Sequence, residues 1–258
     1  MSTVQSISKM DLETLERIRA SELEEARMIQ RAMLPTEALR AHPVEFVCRC
    51  RPMAEVGGDF LDYFPLDDRR LGFYIGDVVG KGLAAAMYAA LAVGALRGMH
   101  KTGTEPKAVL EVLNRRLRMR VVPGRYCSVQ YAVFDPATRE LRHANAGLPR
   151  PVYISTSGCR ELGEGGLPSA LFDGASYDQY NVQLAPGDAV LFCTDGLMDA
   201  RNTDGEDFGV ERLLKVCTAH AGEAAETLIG HVFDAVDAFA AGCEHQLDDM
   251  TAAILKIS

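Results

Sequence analysis

The chain has 258 residues, 48% of them hydrophobic, and a formal charge of −9 with no long Lys/Arg run. That length buries one large core or two small ones, and the lack of a concentrated basic face excludes a binder of the nucleic-acid backbone. The acidic balance suits carboxylate-held divalent cations, and it equally suits a protein kept monodisperse by self-repulsion. Seven cysteines, an odd number, contain no CxxC pair, so metal fingers and a disulfide framework are excluded and reduced, mostly buried thiols are expected. The N-terminus lacks an apolar signal core, and the most apolar stretch, 82–96, is too short to span a bilayer. A soluble, cytoplasmic protein without membrane contact is expected.

Residues 11–34 are rich in Glu, Leu, Arg and Ala and contain no Gly or Pro. Leu12, Leu15, Ile18, Ala26, Ile29 and Met33 give a broken three-and-four spacing that predicts an amphipathic helix, ended by Pro35. The spacing slips between Ile18 and Ala26, which leaves two readings open: packing on its own domain, or a dimerising or regulatory helix. Residues 1–35 are therefore set apart from a domain over 36–258.

Strands are predicted at 44–51, 71–75, 126–134, 140–144, 152–155, 180–184, 189–193 and 251–257, and helices at 83–100, 107–119, 209–219 and 222–241. Strands come in runs and helices in pairs, so the expected class is α+β with antiparallel sheets.

The informative positions are aspartates beside sharp turns: Gly57-Gly58-Asp59-Phe60, Gly76-Asp77-Val78-Val79-Gly80-Lys81-Gly82, Thr194-Asp195-Gly196 and Asp248-Asp249-Met250-Thr251. Each places a carboxylate at the end of a buried element, where a rigid strand can aim it. Singly, each is an ordinary turn. The stretch 76–82 is not a P-loop: one residue is missing before Gly-Lys, no Ser or Thr follows, and Asp77 would repel phosphate. Gly-Gly-Asp-Phe lacks the glutamate of a diguanylate cyclase, and neither a GxSxG elbow nor HExxH occurs. Oxygen-only donors point to Mg²⁺ or Mn²⁺ rather than zinc.

Together, in this order, the motifs resemble the metal-dependent protein phosphatases (PPM family, protein phosphatase type 2C), in the bacterial SpoIIE/RsbU-like branch. Supporting segments are Ala26-x-x-Ile29-Gln30-x-x-Met33-Leu34-Pro35, Asn145-Ala146-Gly147-Leu148-Pro149, Gly165-Gly166-Leu167-Pro168, Leu184-Ala185-Pro186-Gly187-Asp188 and Thr194-Asp195-Gly196-Leu197-Met198-Asp199-Ala200-Arg201-Asn202. The similarity runs from about Glu22 to Ile257. It implies two packed antiparallel β-sheets flanked by helices, an αββα sandwich, preceded by a regulatory helix.

The resemblance also implies roles. Asp77 matches an aspartate bridging two metal ions, with the Val78 carbonyl as a further ligand. Asp195 and Asp248 match ligands of one ion, and Asp59 an aspartate holding metal or its water. Asp249 falls beside a ligand, where many relatives carry Asn or Asp, and is counted with the others as a candidate metal residue. Two or more Mn²⁺ or Mg²⁺ ions are implied. So is hydrolysis of phosphoserine or phosphothreonine by water activated between them, without a phosphoenzyme. The implied substrate is a phosphorylated protein, a STAS-type anti-sigma-factor antagonist in a partner-switching pathway. A regulatory partner or a second copy would use residues 11–34.

Val79 stands where relatives carry His or Ser, and Leu148 where a His is common. Two rival readings remain: a pseudophosphatase acting as a binding scaffold, which predicts a lost carboxylate, and a hydrolase of small phosphorylated metabolites.

Overall fold

The computed structural model describes residues 2–35, 37–100, 102, 105–243 and 248–258, with side chains from residue 11. Helix α1 (Ser2–Met33) leads into β1 (Leu39–Ala41), β2 (Val44–Arg51), β3 (Phe60–Pro65) and β4 (Leu71–Val78). Helices α2 (Gly82–Arg97) and α3 (Pro106–Arg118) precede β5 (Cys127–Asp135), β6 (Glu140–Ala146), β7 (Val152–Ser155), β8 (Gly158–Glu161), β9 (Gln179–Gln183) and β10 (Ala189–Cys193). A 3₁₀ turn (Asp195–Leu197), α4 (Gly209–Ala219), α5 (Ala225–Phe239) and β11 (Met250–Ile257) complete the order.

The strands form two antiparallel sheets, ordered β1-β2-β11-β10-β7-β8 and β3-β4-β5-β6-β9. The period of two along each strand divides the core into three layers. On β4, Tyr74 and Val78 face α2 and α3, while Phe73 and Ile75 face the opposite sheet. On β11, Ala252 and Ile254 face α4 and α5, while Ala253, Leu255 and Ile257 point between the sheets. Phe46, Phe73 and Phe192 meet there with ring centroids 4.8 and 5.0 Å apart. Helix α2 fits its sheet because Ala85, Ala89, Ala92 and Leu96 recur at helical spacing and are buried. The expected αββα sandwich is present.

Three strands escaped the sequence reading. Asp59 does not end a strand, as expected, but opens one: β3 begins at Phe60. Strands β1 and β8 are three and four residues long, and Leu39-Arg40-Ala41 and Gly158-Cys159-Arg160-Glu161 carry too little apolar content to mark a strand. The last predicted helix starts late, at Ala225, leaving residues 222–224 in a turn. Helix α1 extends to Ser2, and its expected apolar stripe is split. Ala26 and Met33 are half-buried, whereas Leu12, Leu15, Ile18 and Ile29 are 51–66% exposed. Among its described side chains, the buried and half-buried ones begin at Leu23. The thiols are also less buried than expected: Cys127, Cys193 and Cys217 are buried, Cys48, Cys50 and Cys159 half-buried, and Cys243 exposed, all of them free. No helix among the described residues is long and apolar enough to cross a membrane.

Phe192 is fully buried where the two sheets meet. Phe192→Ala should lower the unfolding free energy by about 3–5 kcal/mol, read as a shifted urea midpoint with an unchanged slope.

Candidate metal centre

One end of the sandwich collects the ends of four strands. Strand β4 stops at Val78 and β10 at Cys193, while β3 and β11 start at Phe60 and Met250. Antiparallel pairing of Phe60 with Gly76, and of Cys193 with Ala252, aligns those ends. The alternation that sends Phe73 and Ile75 between the sheets sends Asp77 the same way. Asp59 shares a face with Leu61, Thr194 with Phe192, and Asp249 with Thr251 and Ala253.

Hydrogen bonds fix this arrangement across the two sheets. Asp59 is buried, and its Oδ2 accepts from Thr194 Oγ1 at 2.9 Å. Thr194 is in turn held to β11, with its amide donating to the Thr251 carbonyl and its Oγ1 accepting from the Thr251 amide, both at 3.0 Å. Asp249 Oδ2 accepts from the Gly58 amide at 2.7 Å and the Asp59 amide at 3.4 Å, and Oδ1 accepts from the Met53 amide at 2.7 Å. Both oxygens of Asp249 thus face the backbone of the loop that carries Asp59.

Two glycines let the pieces approach. A Cβ on Gly58 would lie 2.7 Å from the Val78 carbonyl oxygen and 3.0 Å from Asp77 Oδ1. Both oxygens therefore look onto a spot that only glycine leaves bare. A Cβ on Gly196 would lie 1.9 Å from the Asp249 carbonyl oxygen, so Asp195 and Asp248 can be neighbours only with glycine between them.

The electrostatics follow from crowding. Burial pushes Asp59 well above the usual carboxylate range, and the Asp77 and Asp249 charges add to the effect. Asp77 is raised to about 7, first by desolvation and then by Asp195, Asp248 and Asp249. Asp195 is raised by desolvation, Asp199 and Asp248. Like charges at close range oppose one another's ionisation unless cations intervene. Lys81, with Nζ 3.6 Å from Asp248 Oδ2, supplies one. The donor set is hard oxygen throughout, carboxylate plus carbonyl, which fits Mg²⁺ or Mn²⁺. No three of these carboxylates offer oxygens all within 4.8 Å of one another, so the cluster is wider than one ion's shell.

Several participants carried no assigned role in the sequence. Gln30 on α1 is buried and pairs twice with Gly57: its Nε2 donates to the Gly57 carbonyl at 2.7 Å, and its Oε1 accepts from the Gly57 amide at 3.0 Å. Arg97 on α2 donates to the Met33 carbonyl at 2.9 Å and pairs with Asp62 at 2.8 Å. Arg125 donates to the Val79 carbonyl at 2.6 Å. Asp199, four residues beyond Asp195, adds a carboxylate raised by desolvation, Asp207 and Asp248. Within the quoted motifs Gln30, Thr194 and Asp199 were visible, but their partners are remote in sequence. Leu148 lies in the core between the sheets, its backbone held by Asn145, and does not line the carboxylate cluster.

Stability should report this crowding. Asp77 releases its proton near pH 7 in the fold and near 3.8 in the unfolded chain. The fold therefore holds the extra proton across that window, and its stability falls as pH rises from about 4 through 7. In chelator, the melting temperature should drop more steeply between pH 5 and 8 for the natural chain than for Asp77→Asn. Added Mg²⁺ should restore more stability at pH 8 than at pH 5. Parallel curves would show that Asp77 ionises without strain.

Comparison with known proteins places this geometry in a lineage. Residues 67–258 match the SpoIIE family (Stage II sporulation protein E). The phosphoserine phosphatase RsbU of Bacillus subtilis (strain 168) is 26% identical over 92% of this chain and 70% of its own length. Two further curated relatives are matched over only 40% and 45% of theirs. The SiaA-PP2C domain of Pseudomonas aeruginosa shares the fold at a TM-score of 0.84 and 23% identity, with 95% of this chain and 98% of that one covered. RsbX in complex with magnesium shares it at 0.65 and 14%, covering 86% and 99%. The carboxylate-ended sandwich and the match over residues 67–258 agree: the chain belongs to the SpoIIE family and shares the fold of a PP2C domain.

Proposed function

We propose that the chain hydrolyses phosphoserine or phosphothreonine on a protein at this carboxylate cluster, using two or more Mg²⁺ or Mn²⁺ ions. The observation that carries the reading is the convergence of Asp59, Asp77, Asp195 and Asp248, with burial and mutual repulsion raising Asp59, Asp77 and Asp195. Asp77 and the Val78 carbonyl flank the bare face of Gly58 and are the proposed shared ligands. Asp195 and Asp248, brought together at Gly196, serve a second position, and Asp59 is oriented by Thr194. Asp249 positions the loop through its amide contacts. Bound divalent ions would neutralise the phosphoryl oxygens and supply an activated water.

The remaining chemistry belongs to the chain. Val79 offers no side-chain proton, and its amide is already committed to the Tyr126 carbonyl at 3.1 Å. Cys50, one of the thiols beside the cluster, is pushed up to about 12 by burial and then by Asp59. It stays protonated at neutral pH, which argues against a thiol nucleophile. RsbU's description as a phosphoserine phosphatase supports the phosphoserine assignment. The substrate proposed from the family resemblance is a phosphorylated STAS-type anti-sigma-factor antagonist, in a cytoplasmic partner-switching pathway. Residues 11–34 are proposed to take a regulatory partner or a second copy, through the exposed Leu12, Leu15, Ile18 and Ile29.

Asp77→Asn should abolish Mn²⁺-dependent release of phosphate from a phosphorylated STAS protein while circular dichroism stays unchanged. Near-normal turnover would overturn the assignment. No turnover by the natural chain with either ion would favour a pseudophosphatase. Gln30→Ala should raise the Mn²⁺ concentration needed for half-maximal rate by about tenfold, since a lost buried hydrogen-bonding partner costs about 1–3 kcal/mol. An unchanged metal requirement would leave Gln30 as packing alone.

A further inference from the structure

The layer of α4 and α5, behind the six-stranded sheet, holds a second cluster of donor groups of different chemistry. Helix α4 ends at Ala219, and the turn that follows is closed by the Glu223 amide donating to the His220 carbonyl at 3.1 Å. That turn presents His220 and Glu223 to His231, which stands in the second turn of α5. His220 Nδ1 lies 2.9 Å from Glu223 Oε1, and His231 Nε2 lies 3.1 Å from Glu223 Oε2. The two imidazole rings stack with centroids 3.7 Å apart and planes within 18°. Each of the three residues offers a donor atom within 4.8 Å of the other two, the only such triplet among the described residues.

One detail of the triplet calls for a ligand. Glu223 Oε2 is buried, and its neighbour, His231 Nε2 at 3.1 Å, is poorly directed for a hydrogen bond. A carboxylate oxygen with only a misdirected partner is poorly satisfied, and a cation between it and the imidazoles would satisfy it. The spacing suits one. Four bonds of 2.0–2.1 Å in a tetrahedron put donors about 3.3 Å apart, and two of the observed separations are within a few tenths of an ångström of that. The side chains are 29–39% exposed, so an ion can enter without unfolding.

We propose that His220, Glu223 and His231 form a surface site for an imidazole-preferring divalent transition ion, Zn²⁺ first among them. The ion would pin the α4–α5 turn to α5. Two nitrogens and one carboxylate select Zn²⁺, Ni²⁺ or Cu²⁺, in contrast to the oxygen-only cluster at the sandwich end. The fourth coordination position stays open to water. The site is independent of the proposed hydrolysis and stands or falls without it.

The test uses the full chain without any polyhistidine tag, in excess Mg²⁺ to fill the carboxylate cluster and with accessible thiols alkylated. Titration with Zn²⁺ by calorimetry, and with Co²⁺ by visible absorption, should show one equivalent taken up with the d–d bands of a nitrogen-and-oxygen site. Loss of an outer-sphere partner alone weakens metal sites 10–100-fold, so His220→Ala and His231→Ala should each weaken uptake by at least about tenfold. Zn²⁺ should also slow diethylpyrocarbonate modification of His220 and His231 in the unaltered chain, a readout that needs no variant to fold. Equal uptake by the natural chain and the doubly substituted one, no uptake by the natural chain, or unprotected histidines would overturn the site.

Discussion

Carboxylates crowded at one end of a β-sandwich repel one another, and much of the architecture serves to hold them there. Asp77 is raised to about 7 by its surroundings, so each group around it must be kept in place against its own electrostatics. The restraints are of several kinds. Strand pairing fixes where Asp77 ends up, a threonine bridge between sheets fixes Asp59, and two glycines remove the atoms that would keep the turns apart. None of these contacts is strong alone. Their combination leaves the carboxylates no relaxed alternative except to take up protons or cations.

The same restraints connect the cluster to the N-terminal helix. Gln30 grips Gly57, Gly57 adjoins Gly58, and Gly58 is held by Asp249 on the other side. A buried carboxamide paired to both backbone groups of one residue transmits position well, since neither bond can shift without leaving a polar group unpaired. Arg97 adds a second tie, from α2 to the end of α1 and to β3. Toward the start of its described side chains, Leu12, Leu15 and Ile18 are exposed. The helix is thus fastened near its C-terminal end, to the loop carrying Asp59 and to α2.

Much of the fold was legible because local rules and tertiary packing agree. Strands β2, β7 and β10 and helix α4 appear at the predicted bounds, β10 as a continuous apolar run bounded by turn residues. Strand β3 was missed because Phe60-Leu61-Asp62-Tyr63-Phe64 mixes faces: Tyr63 packs between the sheets while Asp62 meets Arg97. Leu12, Leu15 and Ile18 were misleading for another reason. Helical spacing predicts a face, not whether anything covers it.

By itself, the sequence determined an α+β fold with antiparallel sheets and aspartates at its turns, while the αββα arrangement came from the resemblance of its motifs to a known family. Periodicity and Asp–Gly turns are encoded within a few residues, where sterics and backbone geometry suffice. Only the tertiary structure decided that Asp59 opens a strand, that Asp249 faces the loop backbone, that Gln30 belongs to the site, and that His220, Glu223 and His231 meet. Those pairings join residues up to 196 positions apart, as Met53 and Asp249 are. No local rule carries that information, because sheet register and helix docking set it only when the whole core closes.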